Sequence, residues 1–410
     1  MPPKTLKQTF PHAIGLSIFV FLTASSALAG CPGDVRPSSE DPMQMLVLGD
    51  SILWGQGLRP EQKTWWRVKC WLEEKTGREV QTRIEAHSGA HLAGSSTTPP
   101  RFSSSDGEVN LPSPTINEQL DNALGFYGPS RLQVDLILVD GCINDVDVSS
   151  LLNAGATPDW LRERIATSCR AGMHDLLRRI TESFPNAHVV VTGYYRMISS
   201  ETDDNAFIRL LVKKLNSENT EARRMTYKEM RERLIMLSEL WYKVSTASLS
   251  EAVNKVNGEL EEKSLPARVL FVEIEFWPEH SFSASNTLLW NFMFGSTNLS
   301  GFRKIIIALS LGTAAYKPND DVRDNRIRSC NETYKAPKGK DRKETDEEKR
   351  DRKNRLMICR YASLGHPNQM GALIYAEAIK GKLQWLIDKA GWKRDLNRGP
   401  QLSRPVVFAH

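Results

Sequence analysis

Residues 45–51 read MLVLGDS, four apolar residues followed by Gly49, Asp50 and Ser51. A short apolar run that ends in turn residues is typical of a strand buried on both faces of a sheet. Ser51 comes directly after the turn, where we expect a helix to begin. The segment therefore predicts the first strand of a parallel sheet. It also places a serine hydroxyl at the carboxyl end of that strand, the edge where open α/β sheets bind ligands.

Four further predicted strands follow, and segments of helical spacing lie between or after them. The strands occupy residues 80–85, 134–139, 188–192 and 269–274, of which the second and third are near-continuous apolar runs, and the helical segments occupy residues 62–75, 160–183 and 369–387. Strands that alternate with helices indicate βαβ units, whose right-handed crossovers place helices on both faces of a parallel sheet. The fold class is therefore α/β, with a central parallel sheet between two layers of helices.

The first 30 residues are typical of an export signal. They combine a basic start, an apolar stretch too short to span a membrane, and a small-x-small cleavage site, ALA, at 27–29. The sequence LAGC at 28–31 also looks like a bacterial lipobox, in which the cysteine carries a lipid. Lipidation of Cys31 would anchor the protein to a membrane, whereas plain secretion would not. Both interpretations predict an exported protein.

The rest of the 410-residue chain has an ordinary globular composition, with 40% apolar and 25% charged residues. Its net charge of +5 is small for this length, so we expect no nucleic acid as a partner. We expect a linker at 31–44, a folded domain at 45–390 and a C-terminal tail at 391–410. Within the domain, residues 205–263 should form a helical insertion, which either packs as a structural element or covers the site as a lid. Residues 335–355 should form a charged, solvated loop or a frayed helix.

The six cysteines fit an oxidising compartment, where disulfides form and persist. Closeness along the chain favours the pairs Cys142–Cys169 and Cys330–Cys359, although some of these residues could be buried thiols. Lipidation of Cys31 would leave one cysteine unpaired. None of the cysteines has the C-x-x-C spacing of a zinc site, so we expect no structural metal.

Polar groups follow three of the predicted strands, and together they suggest an acyl-transfer site. Ser51 follows the first strand, Gly89 the second and Asn144 the third. The carboxyl ends of parallel strands meet at one edge of the sheet, so these residues should converge. His366 precedes Pro367 and a helix, and should lie on a loop at the same edge.

This set of residue types suits attack on an ester. A serine hydroxyl needs a base to remove its proton, and histidine is the usual base near neutral pH. The oxyanion that forms needs preorganised donors. The backbone N–H groups of Ser51 and Gly89 and the side-chain amide of Asn144 can supply three, and His366 can act as the base.

Four blocks of the sequence, in order, resemble those of the SGNH, or GDSL-type, hydrolase family. They are GDS at 49–51 with Gly55 and Gly57, SGA at 88–90, GCIND at 141–145 and HPN at 366–368. The resemblance implies a flavodoxin-like sandwich, with Ser51 as nucleophile and His366 as base. It also implies an oxyanion hole of Ser51, Gly89 and Asn144, and neither a cofactor nor a metal.

Two departures from the family pattern matter. Where the family usually has an aspartate that orients the histidine, this chain has Ser363, which cannot supply the charge. We therefore expect a dyad in which a backbone carbonyl orients His366, with Asp324 or Glu279 as alternative distant acids. Secreted esterases of the Streptomyces type are similar in this respect and in carrying several disulfides. The third block also has one extra residue before Asn144.

The predicted function is that of a secreted or lipid-anchored serine esterase or lipase acting on a lipid, an acetylated glycan or another small ester. The alternatives are a catalytically silent glycan- or lipid-binding protein and an acyltransferase. A group of aromatic residues near the fifth strand and beyond either lines a substrate pocket or belongs to the core. These residues are Phe276, Trp277, Phe282, Trp290, Phe292 and Phe294.

Overall fold

The computed structural model describes residues 31, 37–94, 108–294, 316–337 and 344–389. Its central sheet has five parallel strands, β1 (Ser38–Leu48), β2 (Arg78–Ile84), β3 (Val134–Val139), β4 (His188–Thr192) and β5 (Val269–Val272). The order across the sheet is β2-β1-β3-β4-β5, which is the flavodoxin-like order. The fold class predicted from the sequence is confirmed. The expected export signal at 1–30 and tail at 391–410 lie outside the described residues.

The helices alternate with these strands along the chain. They are α1 (Ser51–Trp54), α2 (Thr64–Thr76), α3 (Ile116–Tyr127), α4 (Ile143–Val146), α5 (Val148–Leu151), α6 (Pro158–Ile165), α7 (Met173–Ser183), α8 (Ala206–Leu215), α9 (Tyr227–Glu262), α10 (Arg323–Thr333), α11 (Asp346–Arg360) and α12 (Gln369–Lys389). A π-helical segment, Ala166–Gly172, joins α6 to α7. Short 3₁₀ turns occupy Pro60–Gln62, Gly128–Gln133, Ala222–Arg224 and Pro278–His280, and a small antiparallel sheet pairs β6 (Phe292–Phe294) with β7 (Tyr316–Pro318).

The strand order fixes which helices share a face of the sheet. The chain runs from β1 to β2 through α2, then reverses direction and runs from β2 to β3 through α3. Right-handed crossovers therefore place α2 and α3 on opposite faces. Helix α12 packs against α2, while α7 packs against α3 and α9. The reversal lies between β1 and β3, the switch point where ligands bind in such sheets.

Strands β1, β3 and β4 form the centre of the core. Leu46, Leu138 and Val190 have no exposed surface, and full burial of such a side chain contributes about 1.5–3 kcal/mol. The central strands are thus held rigidly, and so are the turns that leave their carboxyl ends.

The expected linker at 31–44 is wrong in its second half. Strand β1 begins at Ser38, which pairs with Arg78 of β2. The register then shifts before Met43. The polar residues of this stretch and its proline hid the strand, because the apolar pattern begins only after the shift.

The expected lipidation of Cys31 is also incompatible with the structure. The Cys31 sulfur is bonded to the sulfur of Cys70 in α2, and a lipid thioether needs that same atom. Cys31–Cys70 was not predicted, whereas the two expected disulfides, Cys142–Cys169 and Cys330–Cys359, are both present. Among the described residues, no helix is both long and apolar enough to cross a membrane.

The segment at 205–263 is helical, as expected, and it packs as a structural element. Its main helix, α9, has 36 residues and forms the crossover between β4 and β5. Trp241 and Leu249 of α9 are fully buried in the main core, whereas Met230 and Leu234 join a smaller core with α8. These contacts favour the structural interpretation over the lid.

The segment at 335–355, expected as a charged loop or a frayed helix, is helical in its last ten residues. Helix α11 begins at Asp346, and a capping box between Thr345 and Glu348 fixes its first turn. This T-x-x-E pattern was readable in the sequence and outweighs the high charge. Residues 338–343 lie outside the described residues.

Candidate active site

Ser51 and His366 meet at the carboxyl edge of the sheet, although 315 positions separate them in the sequence. The Oγ atom of Ser51 lies 2.7 Å from Nε2 of His366. Ser51 is the first residue of α1, and His366 lies on the loop that precedes α12. The distance is that of a hydrogen bond from a hydroxyl to a neutral imidazole, which is the geometry that a nucleophile and its base require.

The turn that carries Ser51 depends on a glycine. Gly49 has a φ of +143°, and a Cβ atom there would lie 1.9 Å from Oδ1 of Asp140. Only glycine therefore allows the Asp140 carboxylate to approach the turn so closely. At the other end of α1, Gly55 closes the helix in a left-handed conformation with a φ of +77°. The short helix thus projects Ser51 out of the sheet edge.

Two buried carboxylates lie beside the turn that carries Ser51. Asp140 accepts hydrogen bonds from the backbone N–H groups of Asp50, at 2.7 Å, and Leu53, at 2.9 Å. Asp50 accepts from the N–H of Ile52 at 2.9 Å and from the hydroxyl of Tyr194 at 2.7 Å. The carboxylates therefore hold both the first turn of α1 and the residue before the nucleophile.

Burial dominates the electrostatics of this pair. It raises the pKa of Asp50 to about 6, against hydrogen bonds from Ile52 and Tyr194 that lower it. The pKa of Asp140 is raised well above its usual range, first by burial and then by the charge of Asp50. The two groups interact strongly, so the pair retains a proton at pH values where exposed aspartates are ionised.

The second and third sequence blocks are bonded to each other. The Nδ2 atom of Asn144 donates to the carbonyl of Ala90 at 2.8 Å. The Asp145 carboxylate accepts from the N–H of Leu92 at 3.0 Å. Gly89 has a φ of +81°, and a Cβ atom there would lie 2.1 Å from Oδ1 of Asn110. Glycine is therefore required at this position, and Asn144 fixes the loop that contains it.

The extra residue of the third block is accommodated by unusual backbone at Gly141 and Cys142. Cys142 has a φ of +103°, in the region that disfavours side chains, and Gly141 has a φ of +151°. The buried disulfide to Cys169 holds Cys142 in this conformation. Cys169 itself lies in the π-helical segment between α6 and α7, and such segments frequently occur at functional sites. Asn144 lies two residues after Cys142, in α4.

The loop around His366 is fixed by backbone hydrogen bonds. The His366 carbonyl accepts from the N–H of Trp290 at 2.8 Å, and the N–H of Gly365 donates to the Trp290 carbonyl at 3.0 Å. The hydroxyl of Tyr195 donates to the Gly365 carbonyl at 2.7 Å. The loop is therefore anchored on the segments that follow β4 and β5, even though it is distant in sequence.

The imidazole itself is held without a carboxylate. Desolvation lowers the pKa of His366 to about 4, and the charge of Arg326 lowers it further, while the nearby carbonyls of Ser363, Leu364 and Ala362 oppose the shift. Within the part of the chain that the structure describes, no group makes a well-formed hydrogen bond to Nδ1 of His366. This environment keeps the ring neutral, and therefore able to accept a proton, well below neutral pH.

Ser363 contacts a carboxylate that the sequence did not single out. Its Oγ donates to Oδ2 of Asp320 at 2.6 Å, and Arg326 holds Asp320 through both of its oxygens. The alternative acids are elsewhere: Asp324 is exposed and pairs with Arg323, and Glu279 lies in the turn Pro278–His280. No hydrogen bond joins either of them to His366 among the described residues.

Two of the six residues of the aromatic group are buried in the interior. Phe276 is fully buried and stacks on Tyr195, with ring centroids 5.0 Å apart. Trp290 is also buried, whereas Trp277 is 58% exposed. The side chain of Phe294 lies outside the described residues. The core interpretation thus holds for Phe276 and Trp290.

Sequence reasoning missed several residues that shape the site. Asp140 had a readable signal, because it is an acid placed directly after the apolar run LILV at 136–139 of β3. Gln119 of α3 holds both backbone groups of Gly49, at 2.8 and 2.9 Å, and no local pattern pointed to it. The same is true of Tyr194 and Asp320. Among the described residues, one group combines three metal-ligand side chains, but two of them are the bonded sulfurs of Cys31 and Cys70.

Comparison of the sequence with protein-family models and with curated proteins gives no match. The structure is similar to that of an extracellular lipase from Streptomyces rimosus, at 14% identity and a TM-score of 0.34, covering 60% of this chain and 87% of that one. It is similar to phospholipase A1 from Streptomyces albidoflavus, at 12% identity and a TM-score of 0.35, covering 63% and 90%. An acetyl xylan esterase from Butyrivibrio proteoclasticus matches at 15% identity and a TM-score of 0.31, covering 58% and 56%. At these values the similarities carry no weight for activity or substrate.

Proposed function

We propose that the protein is an exported serine hydrolase that cleaves carboxylic esters through an acyl-enzyme. The observation that supports this most directly is the 2.7 Å contact between Ser51 Oγ and His366 Nε2. The contact brings together a nucleophile and a base from segments that are distant in the sequence. The three disulfides fit an oxidising compartment and thus the exported location.

The reaction follows from the positions of these groups. Ser51 Oγ attacks the ester carbonyl while Nε2 of His366 takes the hydroxyl proton. The same proton passes to the leaving alkoxide, and an acyl-Ser51 ester remains. Water then attacks this ester, gives a proton to His366, and the acid leaves as Ser51 recovers its proton. The attack by Ser51 and the attack by water each need a neutral imidazole at the start, and the desolvated His366 provides one.

Charge on the carbonyl oxygen is stabilised by donors at the sheet edge. Ser51 is the first residue of α1, so no preceding helical carbonyl accepts its N–H. Asn144 uses one amide hydrogen for the Ala90 carbonyl, and the second is left for the substrate. Gly89 would supply the third donor from the loop that Asn144 holds. Removing one such donor typically costs about 10²–10³ in kcat.

Labelling of the mature protein with a fluorophosphonate probe tests the proposal. We expect the wild type to become labelled on the peptide that contains Ser51, and Ser51→Ala and His366→Ala to lose labelling and ester hydrolysis by at least about 10⁴-fold. Ser217→Ala, on an exposed turn after α8, serves as the control and should react like the wild type. A panel of esters that vary in acyl length and alcohol then assigns the substrate class.

The other outcomes identify the alternatives. If the folded wild type is not labelled and hydrolyses no ester, the proposal is wrong and a glycan- or lipid-binding role on the same fold is favoured. If labelling is normal but added alcohols capture most of the acyl group, the protein is an acyltransferase rather than a hydrolase.

A further inference from the structure

The serine that stands where an orienting acid was expected is itself bonded to an acid. Ser363 is fully buried, and its Oγ donates to Oδ2 of Asp320 at 2.6 Å. The Ser363 carbonyl in turn accepts the backbone N–H of His366 at 3.0 Å. Two hydrogen bonds therefore link Asp320 to His366, and both are made by Ser363, whose conformation Asp320 fixes.

Asp320 is held rigidly from the other side. Arg326 of α10 donates to Oδ1 of Asp320 at 2.9 Å and to Oδ2 at 2.5 Å, and neither side chain has exposed surface. The two-pronged geometry fixes the plane of the carboxylate. Glu108 lies 3.6 Å from the same guanidinium, and Lys63 also acts on Glu108. The charges close to Asp320 are thus the guanidinium of Arg326 and the carboxylate of Glu108.

The same carboxylate also packs on the turn that follows the nucleophile. Gly57 has a φ of +86°, and a Cβ atom there would lie 2.9 Å from Cβ of Ser363 and 3.0 Å from Cβ of Asp320. The N–H of the neighbouring Asp321 donates to the Gly57 carbonyl at 3.2 Å. Asp320 therefore lies between the segment that carries Ser51 and the loop that carries His366.

We infer that Asp320, clamped by Arg326, is a positioning residue that holds the His366 loop against the Ser51 turn by fixing Ser363. Asp320 takes over the positioning of His366 from the acid that was expected at position 363, but it makes no contact with the imidazole. Replacing a buried ion pair by apolar residues often leaves stability unchanged, so its presence here is better explained by the fixed register that it imposes. The inference rests on the proposed function.

Two variants separate positioning from mere stability. Asp320→Asn and Arg326→Met both release the clamp, so each should lower kcat by about 10–100-fold with KM changed less than about 3-fold. Only Arg326→Met also removes the cation that lowers the pKa of His366. We therefore expect the acid limb of kcat/KM to move to higher pH in Arg326→Met, and to lower pH in Asp320→Asn, which leaves the cation unbalanced. Glu344→Gln, which breaks the paired Arg352–Glu344 contact, is the control and should change neither quantity.

A readout independent of hydrolysis keeps this test distinct from that of the proposed function. Histidine ring signals of the isotope-labelled protein, with His366 assigned through His366→Gln, report its titration even if no ester is cleaved. If the wild type is active and both variants keep its kcat and its His366 titration, the inference is wrong. If either variant fails to fold, Ser363→Ala removes only the bond to Asp320 and should lower kcat by about 3–10-fold. An unchanged kcat in that variant would also overturn the inference.

Discussion

The two sides of the site are built by different means. The sheet-edge side consists of residues that follow strands, and the histidine side consists of residues from loops and from α10. The sheet-edge side is Ser51, Gly89, Asp140 and Asn144, and the histidine side is Asp320, Arg326, Ser363 and His366. On the first side each group is placed by the strand that precedes it, and Asp140 binds the backbone of the nucleophile turn directly.

On the histidine side the carboxylate acts through an intermediary. Asp320 binds a hydroxyl and a guanidinium, and it leaves the imidazole to backbone carbonyls. The difference shows that a serine and a histidine can be aligned without a carboxylate in contact with the imidazole. The alignment then depends on contacts between segments that are distant in sequence.

Removing one neutral hydrogen-bonding group from each side gives the largest contrast. Asn144→Ala should lower kcat by about 10²–10³, because it removes a donor to the oxyanion. Ser363→Ala should lower kcat by only about 3–10-fold, because the carbonyls around His366 remain. Steady-state kinetics on one activated ester measure both, with Asn186→Ala as the control on an exposed surface. A larger loss in Ser363→Ala than in Asn144→Ala would reverse the comparison.

The disulfides allow a second, smaller test of the sheet-edge side. Cys142→Ala with Cys169→Ala should lower kcat by about 10-fold, because Cys142 then relaxes from its positive φ and displaces Asn144. The control is Cys31→Ala with Cys70→Ala, on α2. The two pairs span 27 and 39 residues, so chain entropy predicts similar losses of unfolding free energy, about 3–4 kcal/mol each.

Both double variants are assayed for activity and for unfolding in urea at a temperature where both are folded. These measurements decide whether the Cys142–Cys169 disulfide supports activity or only stability. Equal losses of activity in the two would show that Cys142 contributes only to stability. A selective loss in the Cys142–Cys169 variant would place the disulfide in the support of the oxyanion site.

The smallest expected effect concerns the histidine side and is the pH dependence of activity. The base must be neutral, so activity is lost as pH falls through the folded pKa of His366, about 4, and is retained from there to neutral pH. A carboxylate bonded directly to Nδ1 would instead raise the pH at which activity is lost above the ordinary pKa of histidine, about 6.5. The pH dependence of kcat/KM measures the limb, and Asp50→Asn shows whether the buried pair contributes to it. A limb above pH 6 in both proteins would mean that an acid contacts the ring.

The sequence allowed more of the sheet-edge side to be predicted than of the histidine side. Ser51, Gly89 and Asn144 each follow a strand predicted from the sequence, and the pattern of a strand is a local signal. Residues 38–44 were expected as linker but are part of β1, because a register shift interrupts the strand before the apolar residues that follow. The charged segment was expected as a loop or a frayed helix, and the capping box of Thr345 and Glu348 is the local signal that favours the helix.

By itself, the sequence determined the five strands and the turn at Ser51, while His366 was chosen through the resemblance of HPN at 366–368 to a family block. It could do so because apolar periodicity is local and because parallel strands end at one edge. Only the tertiary structure decided that Asp140 supports the nucleophile and that Asp320 supports the histidine loop. Those contacts join residues 90 and 43 positions apart. A buried carboxylate finds its donors through packing in three dimensions, which leaves no periodic trace along the chain.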